Sequence, residues 1–104
     1  MKQIAFEMKL IEGNEAEYKR RHDAIWPELV SLLKETGISE YAIYLNEETG
    51  SLFGVLKIEE ELAMENLPHH PIMQKWWTYM KDIMYTHPNH SPISIPLTNV
   101  FYLA

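Results

Sequence analysis

The apolar residues of this 104-residue chain recur first at every second position and then every 3.6 positions. The order in which the two periods follow one another restricts the fold more than any other feature. From Lys2 to Leu10 the pattern alternates, with Ile4, Phe6, Met8 and Leu10 on one side and Gln3, Glu7 and Lys9 on the other, as in a half-buried strand. Asn14 to Gly37 reads as a helix, opened by a capping-box pattern at Asn14 and Glu17 and stopped by Gly37. Pro27 lies inside that pattern, opposite the apolar arc, and is expected to bend the helix. A complete break there would confine any argument about facing to residues 18–26. Ile38 to Leu45 places Tyr41, Ile43 and Leu45 on one side of a second strand and Ala42 and Tyr44 on the other. After a polar turn, Ser51 to Ile58 is apolar on both sides, Leu52, Leu56 and Ile58 against Phe53 and Val55, and the two strands form a hairpin. Glu59 to Leu67 is an acidic helical turn ended by Pro68. A second helix starts near Pro71, a residue suited to the first helical position, and its apolar face runs from Ile72 to Met84. Three prolines make 86–96 a loop, and Leu97 to Leu103 alternates again as a closing strand.

The resulting order, β-α-β-β-α-β, is the ferredoxin-like α+β arrangement: one domain over residues 1–104, a four-stranded antiparallel sheet with both helices on one face. The other sheet face then carries Tyr44, Ala42, Phe53 and Val55 without cover. An apolar face of that kind calls for a partner, and the simplest is a second copy packed sheet against sheet, a homodimer.

Composition narrows the function. A hydrophobic fraction of 46% excludes disorder, and a net charge of −6 without a basic patch argues against nucleic acid and anionic membrane as partners. With no cysteine there is neither a disulfide framework nor a thiol nucleophile. No signal-like start and no long apolar run occur, so a soluble cytoplasmic protein is expected. Glycine-rich phosphate loops, nucleophile elbows and paired acids on an apolar face are all missing, which removes the usual parts for phosphoryl transfer, acyl transfer and glycoside hydrolysis.

What remains is aromatic and centred on one histidine. At 100° per residue Tyr18, His22, Ile25, Trp26, Leu29, Leu32 and Leu33 fall within roughly a third of the helix circumference. His22 is therefore expected to point inward, one turn from a phenol and one from an indole, a setting suited to proton chemistry. A core histidine satisfied by its neighbours is the competing reading. Arg20 and Arg21 beside it are read as solvated. Tyr41 either fills the core or sends its hydroxyl into the same cavity as His22. Trp76 and Trp77 diverge by about 100°, so one indole can occupy the buried face and the other its edge, where it could stack on a sugar. His69, His70, His87 and His90 lie beside prolines without carboxylates at ligand spacing, and no metal site is expected.

Five segments, Tyr18-Lys-Arg-Arg-His22, Ile25-Trp-Pro-Glu-Leu29, Tyr41-Ala-Ile-Tyr-Leu45, Gln74-Lys-Trp-Trp-Thr-Tyr-Met80 and Val100-Phe-Tyr-Leu103, resemble the L-rhamnose mutarotase family over nearly the whole chain. The resemblance implies a dimeric α+β barrel that interconverts sugar anomers without a cofactor. It also implies His22 as proton donor, and contacts to the monosaccharide L-rhamnose from Tyr18, Tyr41, Trp76 and Trp77. The chain departs from the family's Asn-Pro-Asp-Asn-Ser-Pro loop, having His87-Pro-Asn-His-Ser-Pro92, and it has Lys75 where arginine is common. Two other functions fit an inward histidine in such a fold: a cofactor-free monooxygenase-like enzyme and a non-catalytic ligand-binding module.

Overall fold

The computed structural model, which describes residues 1–104, is built on three long strands, β1 (Lys2–Lys9), β2 (Ile38–Asn46) and β3 (Ser51–Ile58). A fourth, β4 (Ile95–Pro96), is only two residues long. The sheet order β2-β3-β1-β4, antiparallel throughout, is that of the ferredoxin-like fold. The hydrophobic alternation predicts both the register and the facing. Met8 sits opposite Leu52 and Leu52 opposite Leu45, and Met8 and Leu52 are buried beneath the helices.

One strand contains two phases of alternation. Ile38 is buried and so belongs with the core-facing set, yet Tyr41, Ile43 and Leu45 sit at odd offsets from it. A β-bulge between Ser39 and Ala42 reconciles them, with Glu40 in the left-handed region at φ 48°. The Glu40 carboxylate lies 2.8 Å from Lys57 Nζ on the neighbouring strand. The extra residue turns Tyr41 toward the helices. On β3, Gly54 pairs with Ile43, two positions on from Tyr41, and the Phe6 ring lies across it: a Cβ there would come within 2.6 Å of Phe6 Cε2.

The long helix expected from Asn14 to Gly37 is two helices, α1 (Glu15–Asp23) and α2 (Pro27–Glu35). Pro27 breaks the helix where a bend was expected. Lacking an N–H, it takes the first position of α2, where no intrahelical donor is required, and it forces Trp26 into an extended conformation (φ −63°, ψ 131°). Leu29 is nevertheless buried, and Leu32 and Leu33 pack against the core, because α2 presents its apolar face anew. The capping box does not form either. The Asn14 side-chain amide donates back to the Ile11 and Glu12 carbonyls, and Glu17 turns to two arginines instead.

The acidic turn is realised as two short 3-10 turns, Glu61–Glu65 and Leu67–His69, with Pro68 inside the second. The third helix, α3 (Pro71–Met80), stops short of the expected Met84. Ile83 and Met84 remain buried, and Met84 pairs with Leu10 as an isolated bridge. The closing strand over Leu97–Leu103 is not formed. After β4 a single bond from the Leu97 amide to the Ala5 carbonyl (2.9 Å) holds the chain to β1, and residues 100–103 are exposed. Apolar on both sides, that segment has no core to enter in one copy of the chain. No helix is long and apolar enough to cross a membrane.

Candidate active site

Between the inner face of the sheet and the three helices lies a cavity of about 1310 Å³ with mostly apolar walls. All five residues singled out from the sequence, Tyr18, His22, Tyr41, Trp76 and Trp77, line it. They arrive from three elements: α1 supplies the phenol of Tyr18 and the imidazole one turn later, β2 supplies Tyr41 after its bulge, and α3 supplies the paired indoles.

His22 is held on three sides. Its ring stacks on Tyr18 with centroids 4.3 Å apart, and it meets Trp76 edge-on at 5.4 Å. Nδ1 lies 3.0 Å from the Tyr18 backbone oxygen. A carbonyl only accepts, so Nδ1 carries the hydrogen, and in the neutral ring Nε2 keeps its lone pair. Nε2 has no partner in the protein, yet no buried side-chain nitrogen or oxygen is left unsatisfied, so this nitrogen is open to the cavity. Burial lowers the imidazole pKa below its ordinary 6.5, opposed in part by the Tyr18 carbonyl and Asp23.

The two phenols stay protonated. Burial, reinforced by the neighbouring Tyr41, raises Tyr18 well above the usual phenol range, and burial pushes the Tyr41 hydroxyl up to about 12. Tyr41 as a whole remains 38% exposed, because it lines the open cavity rather than the packed core. Both are therefore neutral hydrogen-bonding groups, able to donate to or accept from a hydroxylated ligand but not to serve as phenolate bases near neutral pH.

Trp76 is the buried indole and Trp77 the edge one. Trp76 is wedged between His22 and Trp26, whose ring it meets at 5.1 Å and 88°. Trp77, half-buried on the cavity wall, stands where an indole can stack on a ring-shaped ligand. Phe6, edge-on to Tyr41 at 6.2 Å, forms the floor over Gly54.

Three features had no counterpart in the sequence pattern. Ser91 and Ser94 line the cavity from the proline-rich loop, which is folded by a bond from the His87 amide to the Ser91 carbonyl (2.8 Å). Serines in a loop carry no periodicity that would reveal this. The second is Arg21: far from being solvated, it is only 9% exposed and ion-paired to Glu17 and Asp82. The third is the role of two other histidines: His70 Nδ1 caps α3 by accepting from the Ile72 amide (3.2 Å) and His90 bonds the Thr78 hydroxyl (3.2 Å). No three His, Asp or Glu side chains converge as a metal site would require.

A ferredoxin-like α+β protein with a single imidazole in an aromatic cavity defines the class: a small-molecule enzyme or binder. Comparison narrows it. Residues 3–103 match the family model described as L-rhamnose mutarotase, and the chain belongs to the L-rhamnose mutarotase family. It is 58% identical to the L-rhamnose mutarotase of Sinorhizobium fredii, covering the full length of both chains. With that of Brucella anthropi it is 60% identical, over 95% of this chain and 93% of the relative. The crystal structure of an L-rhamnose mutarotase from Formosa agariphila superposes over the whole of both chains with a TM-score of 0.94 at 46% identity. A dimeric ferredoxin-like protein from an uncultured marine organism, at 15% identity and a TM-score of 0.60, shares the fold alone.

Proposed function

We propose that this chain is an isomerase that interconverts the α and β anomers of L-rhamnose, with His22 moving the proton and Tyr18, Tyr41, Trp76 and Trp77 holding the sugar. The observation that carries the reading is the single imidazole nitrogen, Nε2, left free in an aromatic cavity while Nδ1 is tied to the backbone. Full-length relatives named L-rhamnose mutarotase support it over an oxygenase or a passive binding module.

Anomer exchange needs the ring to open, the C1–C2 bond to rotate and the ring to close on the other carbonyl face. In opening, the protonated His22 gives the Nε2 hydrogen to the ring oxygen as the C1–ring-oxygen bond breaks. The C1 hydroxyl loses its hydrogen to a water held by Tyr18 or Tyr41, and C1 becomes the aldehyde. In closure the C5 hydroxyl adds to C1 and returns its hydrogen to Nε2, while the carbonyl oxygen recovers one from water. Atoms and charge balance, and the histidine ends as it began. Depressing the imidazole pKa makes the imidazolium a stronger acid toward an ether-like oxygen. The methyl that rhamnose bears at C5 suits the apolar walls, and Trp77 stacks on the sugar's C–H face.

A second copy completes the molecule. The outer sheet face exposes Tyr44 and half-buries Ala42, Phe53 and Val55, and the unpaired run Val100–Leu103 emerges at its edge. A two-fold homodimer that packs these outer faces together buries both.

Saturation-transfer NMR on a panel of reducing sugars tests the assignment. Addition of the protein is expected to speed exchange between the anomeric protons of L-rhamnose well above the other sugars. Binding without faster exchange, or equal acceleration of every sugar, contradicts it.

A further inference from the structure

Arg21 sits next to His22 in sequence but on another side of α1, and its guanidinium is hydrogen-bonded to the α3 end. Its guanidinium makes four hydrogen bonds to three residues at once. Nη1 donates to the Tyr79 backbone carbonyl (2.8 Å) and to Asp82 Oδ1 (2.8 Å), Nη2 donates to Asp82 Oδ2 (3.1 Å), and Nε donates to Glu17 Oε2 (2.7 Å). The Tyr79 carbonyl belongs to the last turn of α3, where carbonyls lack intrahelical donors and the helix dipole favours a cation. Only the planar fork of an arginine matches a bidentate carboxylate, a carbonyl and a second carboxylate together.

The guanidinium carbon also lies 4.6 Å above the Tyr79 ring. Tyr79 stacks on Trp26 at 5.6 Å, Trp26 meets Trp76 at 5.1 Å, and Trp76 meets His22 at 5.4 Å. The contacts therefore close a circuit, Arg21 to Tyr79 to Trp26 to Trp76 to His22, and the backbone of α1 joins its two ends. Loosening the polar joint frees the helix that carries the imidazole from the helix that carries the indole beside it.

We infer that Arg21, clamped by Asp82, is a positioning residue for anomer exchange: it fixes α1 against the end of α3 and so holds the His22 ring against Trp76. The inference rests on His22 as the proton-transfer group. Misplacement of a reacting group by about 1 Å can lower a rate by about a hundredfold, so the effect belongs in kcat more than in KM.

The test compares Arg21→Met, Arg21→Lys and Asp82→Asn with the wild type and with His22→Ala, using L-rhamnose exchange rates and an NMR titration of the His22 ring. Arg21→Met and Asp82→Asn are expected to lower kcat by about tenfold or more with KM changed less, and Arg21→Lys to recover part of the loss. The titration separates position from charge. Removing the Asp82 charge alone would lower the imidazole pKa, whereas release of the ring toward water raises it toward 6.5. A rise in Asp82→Asn supports the inference, as does a rise in Arg21→Lys, which keeps the charge and serves where Arg21→Met fails to fold. Variants that melt earlier but keep kcat and the His22 midpoint overturn it, leaving Arg21 a purely stabilising residue. If His22→Ala keeps full exchange, the reading of His22 has failed instead, and the titration still reports whether Arg21 sets that ring's place.

Discussion

The His22 Nδ1 hydrogen is committed to the Tyr18 backbone carbonyl, 3.0 Å away and one helical turn earlier, and the two rings stack at 4.3 Å. One residue thus fixes the tautomer through its backbone and the ring plane through its side chain. The same phenol lines the cavity that the free Nε2 faces. Because the backbone supplies the hydrogen bond, a Tyr18→Phe variant is expected to keep the His22 tautomer and the fold and to lose only the phenol's contact with sugar. A rise in KM of about tenfold, equivalent to about 1.4 kcal/mol, with an unchanged NMR signature for Nδ1, checks this. A shifted tautomer would show that the phenol, not the carbonyl, sets the ring.

Trp77 is half-buried on the cavity wall where Trp76 is buried. Trp77→Ala is expected to weaken L-rhamnose binding by about tenfold with little change in melting temperature. Trp76→Ala, which empties a buried site between His22 and Trp26, is expected to destabilise the protein by about 3–5 kcal/mol. Equal losses of stability in the two variants would reassign Trp77 to packing.

Gly54 leaves room for the Phe6 ring, and a Cβ there would lie 2.6 Å from Phe6 Cε2. Gly54→Ala should displace the ring, cost about 1–3 kcal/mol in a denaturant melt and disturb the edge contact of Phe6 with Tyr41. Wild-type stability would mean that the floor yields freely.

Three groups set the acid side of the stability curve: His22, Glu17, and Asp82, whose carboxyl the hydrogen bond from Arg21 holds below its ordinary value. His22 titrates lower in the folded protein than its unfolded 6.5, so the unfolded chain binds more protons between those values and stability rises with pH until about 6.5, then holds. Glu17, lowered to about 2 by hydrogen bonds from Arg20 and then Arg21, contributes stability that is complete above the unfolded carboxylate value and fades as pH falls toward about 2. Thermal melts across pH are expected to show both slopes, with His22→Gln abolishing the upper one and Glu17→Gln combined with Asp82→Asn the lower. A slope that survives its variant belongs to another group.

The homodimer is tested at its edge. Joint replacement of Val100 and Phe101, 91% and 76% exposed in one copy, by aspartate should convert a dimer in sedimentation to a monomer. A wild type that sediments as a monomer contradicts the arrangement outright.

How much of this was legible beforehand follows from what periodicity can and cannot encode. Facing is a local property, so His22, Tyr18 and the tryptophan pair could be placed from spacing alone, and Tyr41 from the alternation of its own strand. Breaks are harder. Pro27 announces a disruption, but whether a helix bends or restarts depends on what its second half packs against, and here Leu29 finds the core afresh. Arg21 lay beyond reach because its burial depends on Asp82, 61 residues further along the chain, and an isolated charge beside an apolar arc looks solvated until its partner is seen. The strand expected at Leu97–Leu103 failed for the opposite reason. Its alternation calls for a face to bury, and one copy of the chain leaves residues 100–103 exposed with no core to meet.

The most direct measurement is saturation transfer between the anomeric protons of L-rhamnose in the presence of His22→Ala, on a variant shown by its melt to be folded. With the proposed proton donor gone, protein-dependent exchange is expected to fall by about 10²- to 10⁴-fold while sugar still binds. Exchange at the wild-type rate would contradict the account at its centre, since no other imidazole lines the cavity.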